Sequence, residues 1–187
     1  MKIIVAITGG SGMIYARQCI DSMLASKDVE QIALIVSDTA KQVLRHENIT
    51  LPSDNRITCF SNGELFSSVA SGSASWDSMI IIPASMGTVG RIAAGVSLSL
   101  IERAADVMLK ERRRLVLMVR EAPYSLIHLR NMTTITEAGG IIIPASPSFY
   151  SLPKTIEELA ATITERVITH AGITLPHYEF EGKEVKK

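Results

Sequence analysis

The chain has 187 residues, 47% of them hydrophobic and 20% charged, with 19 basic side chains matched by 19 acidic ones. That length supplies a sizeable core, and a net charge of zero argues against a dedicated nucleic-acid binder. No apolar run is long enough for a membrane span, and the opening MKIIVAITGG runs straight into a glycine loop with no cleavage site of a signal peptide. Cys19 and Cys59 read as reduced thiols of a cytoplasmic protein. Low net charge and an apolar lean point to surface buried between subunits of a homo-oligomer.

In chain order, residues 3–7 are apolar throughout and read as a buried strand. Thr8-Gly9-Gly10-Ser11-Gly12 reads as a tight loop, and from Met13 the apolar spacing becomes helical through Ala16, Ile20, Met23 and Leu24. Strand, glycine loop and helix open a nucleotide-binding α/β unit. Glycines permit positive φ and close approach of a ligand. The helix head offers unpaired N–H groups and a positive dipole end, so an anion or a polar cofactor edge belongs there. Residues 31–36 form a second strand ending at Ser37, with Asp38 as the N-cap of a helix through about Glu47. Residues 48–75 are less regular, with a turn at 51–55, a short strand at 57–60 and a small, polar, mobile stretch at 67–75.

Further strands follow at 79–82, closed by Pro83, at 115–119, and at 141–143, closed by Pro144. Helices are expected around 92–94, over about 98–112, over 125–138 with Gly139-Gly140 as C-cap, and over 155–171. The last carries a stripe of Ile156, Leu159, Ala160, Ile163 and Val167. The tail at 174–187 is polar and charged, an arm or a disordered end. Five apolar strands alternating with helices predict an α/β fold of one domain over 1–187: a three-layer, doubly wound parallel sheet of Rossmann or flavodoxin-like kind.

In such sheets ligands bind outside the carboxyl ends of the strands. Those ends carry Gly9, Gly10 and Ser11, then Ser37, then Ser85, Met86, Gly87 and Thr88, then Arg120 and Glu121. Many backbone donors, small hydroxyls and little charge suit a flat heterocycle with a phosphate tail. Arg120 and Glu121 add an anion binder and a proton donor or acceptor. Arg103 and Lys110, seven apart, share a helix face roughly 10 Å along the axis. Aimed at one point they would hold a phosphate or diphosphate; with Asp106 between them, Arg103 also reads as half of a solvated i,i+3 pair. The four histidines lack metal-ligand spacing, so no metal is expected. TGGSGMIY begins like the nicotinamide loop of short-chain dehydrogenases, but Tyr15 replaces the last glycine. Pro153 inside the turn from Tyr150 to Lys154 breaks the helix that their catalytic pair needs.

The motifs ITGGSGMIY, SGSASWDSMIIIPASMGT, RAADVMLKERRRLVLMVREAP and PASPSFYSLPKTIEEL together resemble the UbiX-type flavin prenyltransferases, over about residues 3–172. The resemblance implies a metal-independent prenyltransferase. It joins a dimethylallyl group from dimethylallyl phosphate to N5 and C6 of reduced FMN, and the prenylated FMN serves a UbiD-type decarboxylase. It also implies a dodecamer with each site at a subunit junction. Carried over by motif, Gly9, Gly10, Ser11, Ser37, Ser85, Met86, Gly87, Thr88 and Arg120 are the FMN contacts. Arg103, Lys110, Tyr150 and Arg166 grip the prenyl phosphate, and Ser11, Glu47 and Glu121 are the catalytic groups. Trp76 or Tyr150 is a candidate wall beside the allyl cation. The chain departs from the family at Ala84, where cysteine is usual, and in GGSGM, where GASGA is usual. The alternatives are an FMN-dependent decarboxylase of the peptidyl- or pantothenoyl-cysteine type, and a flavin-binding module without catalysis.

Overall fold

A computed structural model describes residues 1–175, so all but the first two residues of the expected tail lie outside the described residues. Six strands form one parallel sheet: β1 (Lys2–Ile7), β2 (Gln31–Val36), β3 (Ile57–Phe60), β4 (Ser78–Ala84), β5 (Arg114–Val119) and β6 (Ile141–Pro144), in the order β3-β2-β1-β4-β5-β6. The helices are α1 (Met13–Ala25), α2 (Asp38–His46), α3 (Met86–Ala93), α4 (Leu100–Lys110), α5 (Leu126–Glu137) and α6 (Ile156–His170).

Because successive side chains of a strand point to opposite faces, β1 feeds two cores. Ile3, Val5 and Ile7 pack with buried residues of α1 and α6, whereas Ile4 and Ala6 pack with those of α3, α4 and α5. Each fully buried Ile or Val removes apolar area from water worth roughly 1.5–3 kcal/mol. The layers are therefore helices, sheet, helices, as the apolar strands require.

Several local expectations change. Ser37, not Asp38, caps α2: its Oγ accepts from the Ala40 N–H at 3.2 Å, and Asp38 is the first helical residue. β4 continues through Pro83 to Ala84, because its register with β5 shifts between Ile81 and Ala84 and no ladder bond is asked of the proline. The stretch at 67–75 is tied down rather than loose. It holds a short 3-10 turn (Ser68–Ala70) with Val69 buried, and Arg103 Nε donates to the Ala70 carbonyl at 3.2 Å. Arg113 donates to the carbonyls of Gly72 and Ala74 at 2.8 and 2.6 Å. On α6 the inward stripe is Ala160, Ile163, Thr164, Val167 and Ile168, while Ile156 is 72% exposed.

The order places β1 beside β4, with the chain running outward to opposite sides from that pair. This is the switch point where a crevice opens beyond the strand ends.

Candidate functional site

Thr8 stitches the switch point. Its Oγ1 donates to the Pro83 carbonyl at 2.8 Å and accepts from the Ser85 N–H at 2.7 Å, and Thr8 is buried. The loop after β1 and the loop after β4 are thereby held side by side. Beyond them lies a cavity of about 640 Å³ lined by Thr8, Gly9, Ser37, Thr39, Asn62, Ser85, Thr88, Arg91, Ser99 and Glu102 among others. Volumes of this order are usual for cofactor sites.

Two helix heads open into it. In α2 the Ser37 side chain and carbonyl take the N–H groups of Ala40 and Lys41, and those of Asp38 and Thr39 precede the first helical bond. In α3 the first helical bond is from Val89 to the Ser85 carbonyl, which leaves the N–H groups of Met86, Gly87 and Thr88 outside the helical ladder. Ser85 Oγ and Thr88 Oγ1 lie 3.1 Å apart. Five of the expected FMN contacts thus meet at one place: Ser37, Ser85, Thr88 and Gly9 on the wall, and Gly87 on the first turn of α3. Met86 belongs to that turn too, but its side chain is buried in the core.

The head of α1 is different: of the anion or polar cofactor edge expected there, the structure shows an anion, and it is the chain's own. Glu47, the C-cap of α2, accepts from the Gly12 N–H at 2.9 Å through Oε1 and from the Met13 N–H at 2.7 Å through Oε2. The chain's own carboxylate fills the position. Burial raises the Glu47 carboxyl, but these two bonds, the Ser11 hydroxyl and the charge of His46 outweigh it and hold it below the usual carboxylate range. The structure therefore brings Ser11 and Glu47 together. Within the loop only Gly12 takes positive φ, at 101°. Gly9 is needed for another reason: a Cβ there would stand 2.6 Å from Thr39 Cγ2, so glycine lets α2 approach β1.

Arg120 leaves the end of β5 beside this loop, its Cβ 4.0 Å from where a Gly10 Cβ would be. Burial raises the Tyr15 phenol, and the nearby Arg120 charge lowers it in part. Arg120 Nε is buried with no hydrogen-bond partner among the described residues. A buried guanidinium donor left open asks for an acceptor from a ligand. Glu121 follows, half-buried, with Oε1 accepting from the Ala122 N–H at 3.1 Å. A hydroxyl-rich cavity with two open helix heads, and an orphaned arginine donor along the same sheet edge, fit the phosphate and the polar ring edge of FMN respectively.

Not all expected residues gather there. Arg103 and Lys110 both reach the 70–72 stretch, away from this cavity. Arg103 is spent on the Ala70 carbonyl and on Asp106 Oδ2 at 2.7 Å, and Lys110 pairs with Glu111 at the far end of α4, where the chain enters β5. Tyr150 and Arg166 are exposed, on the loop before α6 and on α6 itself. Trp76, 5% exposed, is buried in the core two residues before β4 begins, at the opposite end of the sheet from the cavity. It is no wall to this crevice. Thr8, Thr39, Asn62, Arg91 and Glu102 were not foreseen. The spacing Ser85, Thr88, Arg91 is i, i+3, i+6 on one helix face, and was the available signal for Arg91.

Comparison with known proteins adds the following. The family model described as Flavoprotein matches residues 1–168. A curated flavin prenyltransferase UbiX of Methanocaldococcus jannaschii is 39% identical over 176 residues, 92% of this chain and 94% of that protein. A solved UbiX with FMN and dimethylallyl pyrophosphate superposes with a TM-score of 0.89 at 36% identity, covering 98% of both chains. A dodecameric, FMN-dependent UbiX-like decarboxylase of Escherichia coli O157:H7 does so with a TM-score of 0.89 at 33% identity, covering 97% of this chain and 100% of that one.

Proposed function

We propose a reaction for this chain from one premise: it belongs to the UbiX flavin prenyltransferase family within the flavoproteins. It transfers the dimethylallyl group of dimethylallyl phosphate to N5 and C6 of reduced FMN, without a metal. The observation that carries this reading is the match over nearly the whole chain to curated flavin prenyltransferases. Bound and reduced, the flavin supplies the nitrogen and carbon nucleophiles.

The chain's own residues divide the remaining work. Ser37, Ser85, Thr88 and the open heads of α2 and α3 hold the flavin phosphate, and Arg120 the ring. Arg103, Lys110, Tyr150 and Arg166 hold the donor phosphate and stabilise the charge that grows on it as the allylic C–O bond breaks. Arg103 and Lys110 lie away from the cavity of their own protomer, so they serve a neighbour's site in a dodecamer. Exposed Phe66, Tyr124, Leu126, Ile127, Phe149 and Leu152 offer the apolar surface such an assembly covers. Ser11 and Glu47 form one hydrogen-bonded unit beside the ring site. Glu121 receives and returns a proton at its carboxylate. The product passes to a UbiD-type decarboxylase in the cytoplasm; no helix among the described residues is long and apolar enough to cross a membrane. A cysteine-type decarboxylase, or a module that only stores flavin, would have no use for the four phosphate-binding residues.

The test is anaerobic incubation of the protein and reduced FMN with dimethylallyl phosphate, and in parallel with the pyrophosphate, followed by mass analysis of the flavin. A flavin heavier by one dimethylallyl unit is expected. Unmodified flavin with both donors, where flavin binding is confirmed, overturns the proposal.

A further inference from the structure

Arg91 is the one cation on the cavity wall among the described residues, and neither the motifs nor the comparisons assign it a role. It stands on α3, one turn beyond Gly87. Helical side chains lean toward the N-terminus of their helix, so the guanidinium runs back to the open head of α3. Its Nη1 lies 3.3 Å from where a Cβ on Gly87 would be. Its Nη2 donates to Thr88 Oγ1 at 3.3 Å, and its Nε is clamped by Glu102 Oε1.

The clamp is built from the inside. Glu102 is 4% exposed, and its other oxygen accepts from the N–H groups of Leu98 and Ser99 at 3.0 and 2.9 Å. Arg91 is 45% exposed, toward the cavity. A guanidinium has five N–H donors in a planar fork, and these contacts use two of them, leaving Nη1 toward the uncovered head of α3. Asp38, the remaining acid of the wall, is turned to Lys41 at 2.8 Å. The side chain is thus fixed at one edge and open at the other, beside the Ser85 and Thr88 hydroxyls and the N–H groups of Gly87 and Thr88. A tetrahedral dianion satisfies that donor set.

We propose that Arg91, held by Glu102 and Thr88, recognises the phosphate of the bound flavin and makes the site select FMN over riboflavin. This rests on the flavin-site reading above. Gly87 serves it by leaving room for the guanidinium, and Glu102 is its positioning residue.

Binding of FMN and of riboflavin is measured by quenching of flavin fluorescence, in the wild type, in Arg91→Lys, and in the double variant Arg91→Met with Glu102→Gln, which leaves no unpaired buried carboxylate. In the double variant FMN affinity is expected to fall by about tenfold or more, as loss of a charge-assisted contact implies, while riboflavin affinity is unchanged. Arg91→Lys, which keeps the charge and loses the fork, falls between. The FMN preference of the wild type weakens with added salt more than that of the double variant. An unchanged FMN-to-riboflavin ratio in the double variant, or equal loss of both ligands, makes Arg91 a structural tie between α3 and α4 and overturns the proposal. A wild type that binds neither flavin refutes the flavin site itself, a separate result.

Discussion

Replacing Glu47 by alanine removes the only acceptor that the two half-buried donors of Gly12 and Met13 are shown to have. A hydrogen bond to a charged group is worth about 1.5–3 kcal/mol when shielded. Glu47 is half-buried, so solvent screens its charge and can rehydrate the freed donors, which cuts the sum of two such bonds strongly. Loss of a helix cap costs about 0.5–2 kcal/mol by itself. A loss of about 2 kcal/mol is therefore expected, which for a chain of this size lowers the melting temperature by about 4–8 °C. The pH dependence follows from the sign of the shift. The folded-state carboxyl is held below its unfolded value, so the stabilisation is complete above about pH 4.3, the ordinary glutamate value, and is lost as the pH falls through the folded-state value. Thermal melts of wild type and Glu47→Ala, followed by far-UV circular dichroism at pH 7 and at stepwise lower pH, measure both effects. Equal melting temperatures at pH 7, or a gap that stays constant into acid, would refute the cap.

Three further outcomes are expected. Thr8→Val keeps the shape but strands the Ser85 N–H and removes a donor to Pro83; a destabilisation of about 2 kcal/mol in urea unfolding and weaker FMN binding are expected. Wild-type stability and affinity together would show that the two loops are held by other means. Burial pushes the Cys19 thiol up to about 12, so a thiol reagent added to the native protein at pH 8 finds Cys59 alone, and Cys59→Ser abolishes labelling until the protein is unfolded. Glu121→Gln is expected to bind FMN as the wild type does and to form product at least tenfold more slowly; undiminished turnover removes Glu121 from proton transfer.

The fold was legible where burial is two-sided. β1, β2, β4 and β5 each hold an unbroken apolar run buried on both faces, and such runs between helices leave a parallel sheet as the consistent reading; β6, an edge strand, showed through its Ile141-Ile142-Ile143 run although only Ile143 is buried. β3 was weaker as a signal because it is an edge strand: Thr58 and Cys59 are exposed, so Ile57–Phe60 carries little hydrophobic pattern. The strand ends were legible for the same reason, since hydroxyls and glycines interrupt the apolar runs there. What sequence spacing does not reveal is which side chain crosses to which element. Glu47 reaches the head of α1 across 35 residues, and the helix face that Arg103 shares with Lys110 meets the 70–72 stretch, Arg103 bonding the Ala70 carbonyl across 33. Helical spacing says that two cations share a face; it does not say what that face meets.

The filled head of α1 also decides what else can lie on this sheet. Its strand order is that of the dinucleotide-binding fold, in which the pyrophosphate rests on the first helix. Here that berth already holds a carboxylate, and a second anion would have to evict it against like-charge repulsion. The head of α4 is closed as well, by Glu102 on Leu98 and Ser99 and by Asn62 on Leu100 and Ile101. The adjoining heads of α2 and α3, by contrast, leave N–H groups open toward one cavity, and they are where an incoming anion would find donors side by side. A pyrophosphate laid in the dinucleotide manner would meet the Glu47 carboxylate at the first helix, so this one glutamate sets the chain apart from the dinucleotide-binding use of the same strand order.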